Sequence, residues 1–386
     1  VDYPKIAIIE RTGKMCAPEQ VHLPRELWKR GWLAESLDPQ QAETHFDPLH
    51  YDLVVNRLSA TSYDVDLAEP VFVRAKNWLE QAEKALGKNR VWNGAQAIQV
   101  DASKRRQQAL FEKYQVGPLT QSFPDFASIL EADGSAFHDR PVFLKLVAGG
   151  SGKGTLPFPS FQHLKNAIRS RSFPHQEEGC DFAALERACQ RLQKNLCLLF
   201  ADEPPHTVIV QQAISFDPEV EVFARFRELR PQPPMDRSRW VLRVEVWEGE
   251  VSFAAWMATT GTNYCHAEGC DAHRPQAMIR LADEQAPIPP LVRQLSIALA
   301  QDAHMRLAGI EWIREKPNAG EEGRWWAIDI NGLSIMRTRY EKGVWQFKNG
   351  TEEGYLGQPT GEFYPWQRLA DCLISRINES ANSQLI

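Results

Sequence analysis

Residues 142–154 read VFLKLVAGGSGKG, an apolar strand with a lysine at its centre that breaks into four glycines within six residues. Burying a lone ammonium is costly, so Lys145 should face an anion. Gly149, Gly150, Gly152 and Gly154, with Ser151 and Lys153 between them, let backbone N–H groups come close to phosphate oxygens. The order is not that of a Walker A loop, because Lys153 is followed by glycine instead of Ser or Thr. The plain alternative is a solvated loop beside a lysine that snorkels to water.

A second cluster is acidic. Glu311 sits inside the apolar run AGIEWI at 308–313, and Asp329 and Asn331 share one face of WWAIDING at 325–332 by the strand's period of two. A polar turn at 316–323 joins these strands and can bring Glu311, Asp329 and Asn331 to one point. Two carboxylates and an amide oxygen are hard donors suited to Mg²⁺ on nucleotide phosphates. The alternative is that Asp329 and Asn331 cap the strand and bind turn backbone. Arg243, within the strand VLRVEV, is placed to stabilise charge developing on phosphoryl oxygens. Arg225 and Arg227 alternate on the strand before it. Cys265, His266, Cys270 and His273 offer four zinc-capable groups in nine residues, but the spacing matches no common finger and a loop role is preferred.

The elements that must position these residues follow from periodicity. Strands are expected at 5–9, 51–58 and 90–92, with a proline-opened helix at 24–32 and a helix at 71–86 that sets Phe72, Ala75, Leu79, Ala82 and Leu86 on one face. This alternation implies a parallel sheet covered by helices. A helix beginning at Asp101-Ala-Ser-Lys104 runs to about Gln115, ended by Gly117-Pro118. Residues 176–206 read as helical, with Cys180, Cys189 and Cys197 packing inward. Strands then dominate at 207–212, 220–229, 240–247 and 250–257, with a hairpin turn at Trp247-Glu-Gly-Glu250. A helix at 290–303, strands at 308–315 and 324–330, and a final helix at 365–377 complete the order.

The chain has 386 residues, enough for two or three lobes at roughly 150 residues each. Hydrophobic residues make up 43% and charged residues 24%, which excludes disorder and collagen-like repeats. Lys and Arg total 44 against 50 Asp and Glu, a formal charge of −6. That balance disfavours nucleic-acid coating and membrane-surface binding. Locally it reverses: residues 225–243 hold six arginines against Glu228 and Asp236. No apolar run reaches the 18–20 residues of a membrane span, and the opening strand lacks the pattern of a signal peptide. Seven cysteines without framework spacing read as reduced thiols, so a cytoplasmic location is expected.

Taken in order, Ser103-Lys104, Lys145–Gly154, the strand ending in Gln211-Gln212, and the acidic pair with D-x-N resemble the ATP-grasp superfamily. The resemblance is nearest to its glutathione-synthetase-like and ribosomal-protein glutamate ligase branch. It spans about residues 50–345, with VVNRLS, VWNG, LRVEVWEGEV, TNYC and DINGLS in matching order. It implies an α+β ATP-grasp fold, two lobes clasping ATP, preceded by an α/β parallel-sheet domain. The corresponding domains are 1–100 (pre-grasp), 101–206 (central lobe with the glycine loop) and 207–386 (C-terminal lobe with the metal site).

The resemblance also implies roles. Lys104 and Lys145 would hold phosphates under the loop Gly149, Gly150, Ser151, Gly152, Lys153 and Gly154. Gln211, Gln212 and Ala213 would run along adenine through backbone groups. Glu311, Asp329 and Asn331 would hold Mg²⁺, with Mn²⁺ able to substitute, and Arg243 and Asn331 would serve the chemistry. The usual order of acids, Asp then Glu, is exchanged here. Arg225, Arg337 and Arg339 are candidate substrate contacts, and Glu10–Lys14 could line that pocket. The implied activity is carboxylate–amine ligation through an acyl phosphate on a small molecule or peptide, with no nucleic acid or membrane involved and homo-oligomerisation left open. A small-molecule kinase and a non-catalytic nucleotide binder are the other readings.

Overall fold

Four strands form a parallel sheet in the order β2-β1-β3-β4: β1 (Lys5–Ile9), β2 (Leu33–Leu37), β3 (Leu53–Asn56) and β4 (Val91–Trp92). The computed structural model describes residues 3–10, 19–41, 44–58, 71–137, 140–148, 155–173, 182–200, 206–215, 239–259, 278–281, 287–316, 323–332, 340–341, 344–346, 352–354 and 365–382. Segment 11–14, Cys180, the loop 149–154, the strand expected at 220–229 with Arg225 and Arg227, the Cys265–His273 group, Arg337 and Arg339 lie outside these residues.

The first sheet is apolar on both faces because helices cover both. Ala7, Ile9 and Val54 pack toward α2 (Val71–Leu86), whose Phe72, Ala75, Leu79 and Ala82 are all 0% exposed. Ile6, Ile8, Leu53 and Val55 pack on the other side, with Leu23 and Leu27 of α1 (Glu19–Trp28). That helix begins five residues before the proline that was expected to open it. Pro24 lies inside, and Leu23 and Leu27 on either side of it are buried at 1% and 0% exposure.

The helix expected at 101–115 is two. α3 (Ala95–Ala102) and α4 (Lys104–Lys113) meet at Ser103, whose extended backbone (φ −128°, ψ 109°) ends the first, while its hydroxyl accepts the Arg106 N–H at 3.3 Å and caps the second.

The central sheet, antiparallel in the order β5-β8-β6-β7, comprises β5 (Thr120–Phe123), β6 (Val142–Leu146), β7 (Thr155–Phe158) and β8 (Val208–Gln212). Helices α5 (Phe126–Glu131), α6 (Phe161–Ser170) and α7 (Phe182–Leu199) cover it around Phe126, Phe158, Phe173 and Phe182. On α7 Cys189 is buried, whereas Cys197 faces solvent, contrary to the inward packing expected of it. Eight residues apart, the two lie about 80° apart around the helix.

The third sheet is antiparallel in the order β11-β10-β9-β12-β13, with β9 (Arg239–Trp247), β10 (Glu250–Thr259), β11 (Met278–Leu281), β12 (Leu307–Arg314) and β13 (Trp325–Asn331). Glu248 and Gly249, both at positive φ (50° and 77°), make the tight β9–β10 turn. α8 (Pro290–Asp302) backs the sheet, and the buried Trp312 indole donates to Ser296 Oγ at 2.9 Å. A small sheet of β14 (Tyr340–Glu341), β15 (Val344–Gln346) and β16 (Glu352–Gly354) follows.

The final helix, α9 (Pro365–Asn382), buries Trp366, Leu369, Ala370 and Leu373 at 0% exposure, with Ile377 on the same face only partly buried. Their partners are α1 and the first sheet, so the end of the chain returns to its beginning. No described helix is long and apolar enough to cross a membrane.

Candidate active site

Strand alternation aims the site residues. On β9, Leu242, Val244 and Val246 enter the core and leave Arg243 and Glu245 on the opposite face; on β12, Ala308, Ile310 and Trp312 do the same and leave Gly309 and Glu311. Cross-strand register then makes two rows. Arg243, Glu311 and Asp329 are mutually opposite, and Glu245, Gly309 and Asn331 form the row beside them. On β13 both Ala327 and Ile330 are core residues three positions apart, which a regular strand cannot achieve. A β-bulge resolves this: Trp312 pairs with Ala327 and Glu311 with Asp329, leaving Ile328 extra.

Ion pairs lock the first row. Arg243 donates from Nε to Glu245 Oε1 at 2.7 Å and from Nη1 to Glu311 Oε1 at 2.9 Å. Asp329 accepts from Asn331 Nδ2 at 3.1 Å and is in contact with the Lys104 ammonium, which also reaches Gln107 Oε1 at 3.2 Å. Burial works against the charge of Asp329, but Lys104 and Asn331 outweigh it and hold the carboxyl below the usual range. Glu311 is pushed up by burial and by the charge of Asp329, against the pull of Arg243.

Lys145 enters from the central sheet. Val142, Leu144 and Leu146 point into the core, and Lys145 points the other way, donating to Gln211 Oε1 at 2.6 Å. Gln211 is itself steadied by Thr120 Oγ1 at 3.1 Å. The Lys145 side chain keeps partial exposure, yet protein surrounds it closely enough to pull its pKa down to about 8, with the Lys104 charge adding to that pull and Asp329 and Glu311 opposing it. These couplings bring Lys104, Lys145, Gln211, Arg243, Glu311, Asp329 and Asn331 together in one region. Gln212 and Ala213 continue β8, and their N–H groups are already committed to the Leu119 and Pro141 carbonyls, each at 2.8 Å.

The α3–α4 unit ties the two sheets together. The Lys104 N–H donates to the Val147 carbonyl at 2.7 Å, and Gln107 Nε2 donates to the Ile330 carbonyl at 2.8 Å. Asn93, at positive φ (52°) and 1% exposed, bonds both the N–H and C=O of Leu307 and the C=O of Gly332.

Asp101 lies beneath this junction, 3% exposed. The Gly332 backbone helps hold its charge, but among the described residues neither carboxylate oxygen has a hydrogen bond of normal geometry, and burial together with Asp329 pushes its pKa up to about 7. The sequence reading singled out none of Asp101, Gln107, Asn93 or Glu245 for the site. Glu245 alone was legible, lying two residues from Arg243 on the same strand face.

Among the described residues no group of three or more His, Cys, Asp or Glu is placed to hold a metal ion. The candidate set is smaller and mixed: Glu311 and Asp329 carboxylates with the Asn331 amide oxygen, all on one sheet face. That donor chemistry fits a hard divalent cation, provided Lys104 yields its place at Asp329.

The architecture is the ATP-grasp fold, with the α/β sheet preceding it. No family model matches the sequence, and no curated protein sequence does. Similarity lies with solved structures. A D-cycloserine synthetase, DcsG, superposes with a TM-score of 0.55 at 13% identity, over 97% of this chain and 99% of its own. The ATP-grasp ligase PsnB, solved with a phosphomimetic variant of a minimal precursor, Mg and ADP, gives 0.54 at 14% identity over 97% and 100%. D-alanyl-alanine synthetase A from Vibrio cholerae gives 0.54 at 11% identity over 98% and 99%. These likenesses establish the fold.

Proposed function

We propose that the chain is an ATP-dependent carboxylate–amine ligase. The observation that carries the reading is the convergence of two lysines, from α4 and β6, on the Arg243–Glu311–Asp329 row. A triphosphate needs cations on its oxygens, and a phosphoryl transfer needs its developing charge held in place. Lys104 and Lys145 are read as phosphate holders, and the loop 149–154 as the cover over the β and γ positions. Gln211–Ala213 is read as the adenine edge. Glu311, Asp329 and Asn331 would hold Mg²⁺, or Mn²⁺ in its place, which when bound supplies charge neutralisation for the triphosphate. Arg243 is assigned to the phosphoryl oxygens as well as to Glu311.

In this reading a substrate carboxylate oxygen attacks the γ-phosphorus of ATP, giving an acyl phosphate and ADP. An amine then attacks the acyl carbon, an amide bond forms and inorganic phosphate leaves. The protein contributes position and charge, with no covalent nucleophile. The domains are read as 1–100, 101–206 and 207–386, with α9 returning to the first. PsnB is a ligase solved with precursor peptides, which supports a peptide as one substrate here, with Arg225, Arg337 and Arg339 as its candidate contacts. A cytoplasmic location suits the reduced cysteines.

The test is incubation with MgATP and pools of carboxylates, amines and peptides, followed by ADP detection and mass spectrometry. An amide-linked product with free phosphate, dependent on both substrates, is expected. A stable phosphoester without phosphate release would replace the ligase with a phosphotransferase.

A further inference from the structure

A buried guanidinium at the C-terminal end of β3 has no acceptor among the described residues. Arg57 extends that strand, its backbone N–H donating to the Ile9 carbonyl at 2.8 Å. The residue is 4% exposed, and among the described residues Nε, Nη1 and Nη2 all lack a hydrogen-bond partner. Arg57 shares the parity of Leu53 and Val55, so it emerges on the sheet face packed by α1 and α9. Its guanidinium carbon lies 5.3 Å from the ring centroid of Trp366 on α9. Trp92 of β4, in register with Val55, is fully buried in the same cluster, and its indole N–H also lacks an acceptor among the described residues.

A stacked tryptophan offsets only a small part of the cost of desolvating a guanidinium. An orphaned buried donor set of this size calls for a ligand that completes it. The chemistry narrows the ligand: a planar fork of N–H groups matches a carboxylate or phosphate in bidentate fashion. The position narrows it further, because open parallel sheets take ligands at the carboxyl ends of their strands. Phosphate is already served elsewhere, by Lys104 and Lys145. We infer that Arg57 is the seat of a substrate carboxylate, with Trp92 N–H as an additional donor on that face. That the anion is a carboxylate and belongs to a substrate rests on the ligase reading; the anion site does not.

The test is thermal unfolding of the full chain without nucleotide or magnesium, at fixed ionic strength, with acetate, glutarate, L-glutamate or inorganic phosphate added. The wild-type Tm should rise with the logarithm of carboxylate concentration. Arg57→Met should match or exceed the wild-type Tm in the absence of these anions and show no rise when carboxylate is added. Arg57→Lys should keep a weaker rise. A lower starting Tm for Arg57→Met would overturn the proposal, since the guanidinium would then already have an acceptor within the chain. So would an equal carboxylate response in both proteins, no response in the wild type, or a response to phosphate alone. A chain that shows the carboxylate response yet never couples it to ATP would keep the site and lose the ligase.

Discussion

The guanidinium of Arg243 lies over Gly309: a β-carbon built at position 309 would meet Arg243 Nη2 at 2.2 Å, Cζ at 2.6 Å and Nε at 2.7 Å. Gly309 is opposite Glu245 on one side and Asn331 on the other. The missing side chain is therefore a slot, through which one arginine reaches both Glu245 on its own strand and Glu311 on the next.

Gly309→Ala should close that slot. A guanidinium is the flexible end of a long side chain, but here two carboxylates pin it, and Glu245 is 1% exposed. Displacing the arginine would take its charge away from the buried Glu245 carboxylate, and breaking a buried ion pair is destabilising. Overpacking of this kind costs about 1–3 kcal/mol. Denaturant unfolding should show that loss, and ATP turnover should fall with it. A wild-type unfolding midpoint would mean that the guanidinium slides aside freely and is not held by the pair.

Lys145 gives a pH signature with opposite signs for binding and for stability. Burial pulls its pKa down to about 8 from the ordinary 10.5. Its charge, and with it the attraction for a phosphate, is present below that value and lost as pH rises through it. Since apparent affinity scales with the competent fraction, ATP should bind about tenfold more weakly at pH 9 than at pH 7. Stability runs the other way. Between about pH 8 and 10.5 the unfolded chain holds the proton and the native chain does not, so this residue's penalty on folding shrinks as pH rises across that window. Calorimetric titration of ATP at several pH values checks the binding arm. Lys145→Met should bind weakly at pH 7 and lose the slope, and an equal slope in both proteins would remove Lys145 from the phosphate site.

Much of the fold was legible because its signals are local. The apolar stripe of α2 and the alternation in β9 and β12 each need only their own sequence. The shared face of Asp329 and Asn331 was legible for the same reason, since the two are two apart on one strand. The split at Ser103 was not, because it depends on one extended residue whose hydroxyl is taken by the Arg106 N–H. Nor was the bulge at Ile328, which exists to satisfy the core positions of Ala327 and Ile330 together. The role of Asn93 was hidden most completely. In sequence Asn93 is one residue of the VWNG stretch, whereas in space its amide joins Leu307 and Gly332, more than 200 positions away. Asp101 likewise gains its meaning only from Asp329 and Gly332, which the chain reaches much later.

The contact between Lys104 and Asp329 makes the proposed metal site dependent on nucleotide. An ammonium on Asp329 Oδ1 competes with any divalent cation for the same oxygen. A triphosphate offers Lys104 another anion and so frees Asp329. Without nucleotide, Mn²⁺ should therefore bind weakly to the wild type. Lys104→Met removes the competitor and should tighten nucleotide-free Mn²⁺ binding by about tenfold or more, given the energy of an opposing charge at this range. The same change should weaken ATP binding. Asp329→Asn should lose the Mn²⁺ site while remaining folded, because the Asp329 side chain keeps 23% exposure and its lysine partner 19%. Electron paramagnetic resonance of Mn²⁺ titrations, with and without ATP, reads each arm directly. If Lys104→Met binds Mn²⁺ no better than the wild type, Lys104 is not the competitor; if Asp329→Asn keeps both Mn²⁺ binding and magnesium-dependent turnover, the metal belongs on other residues.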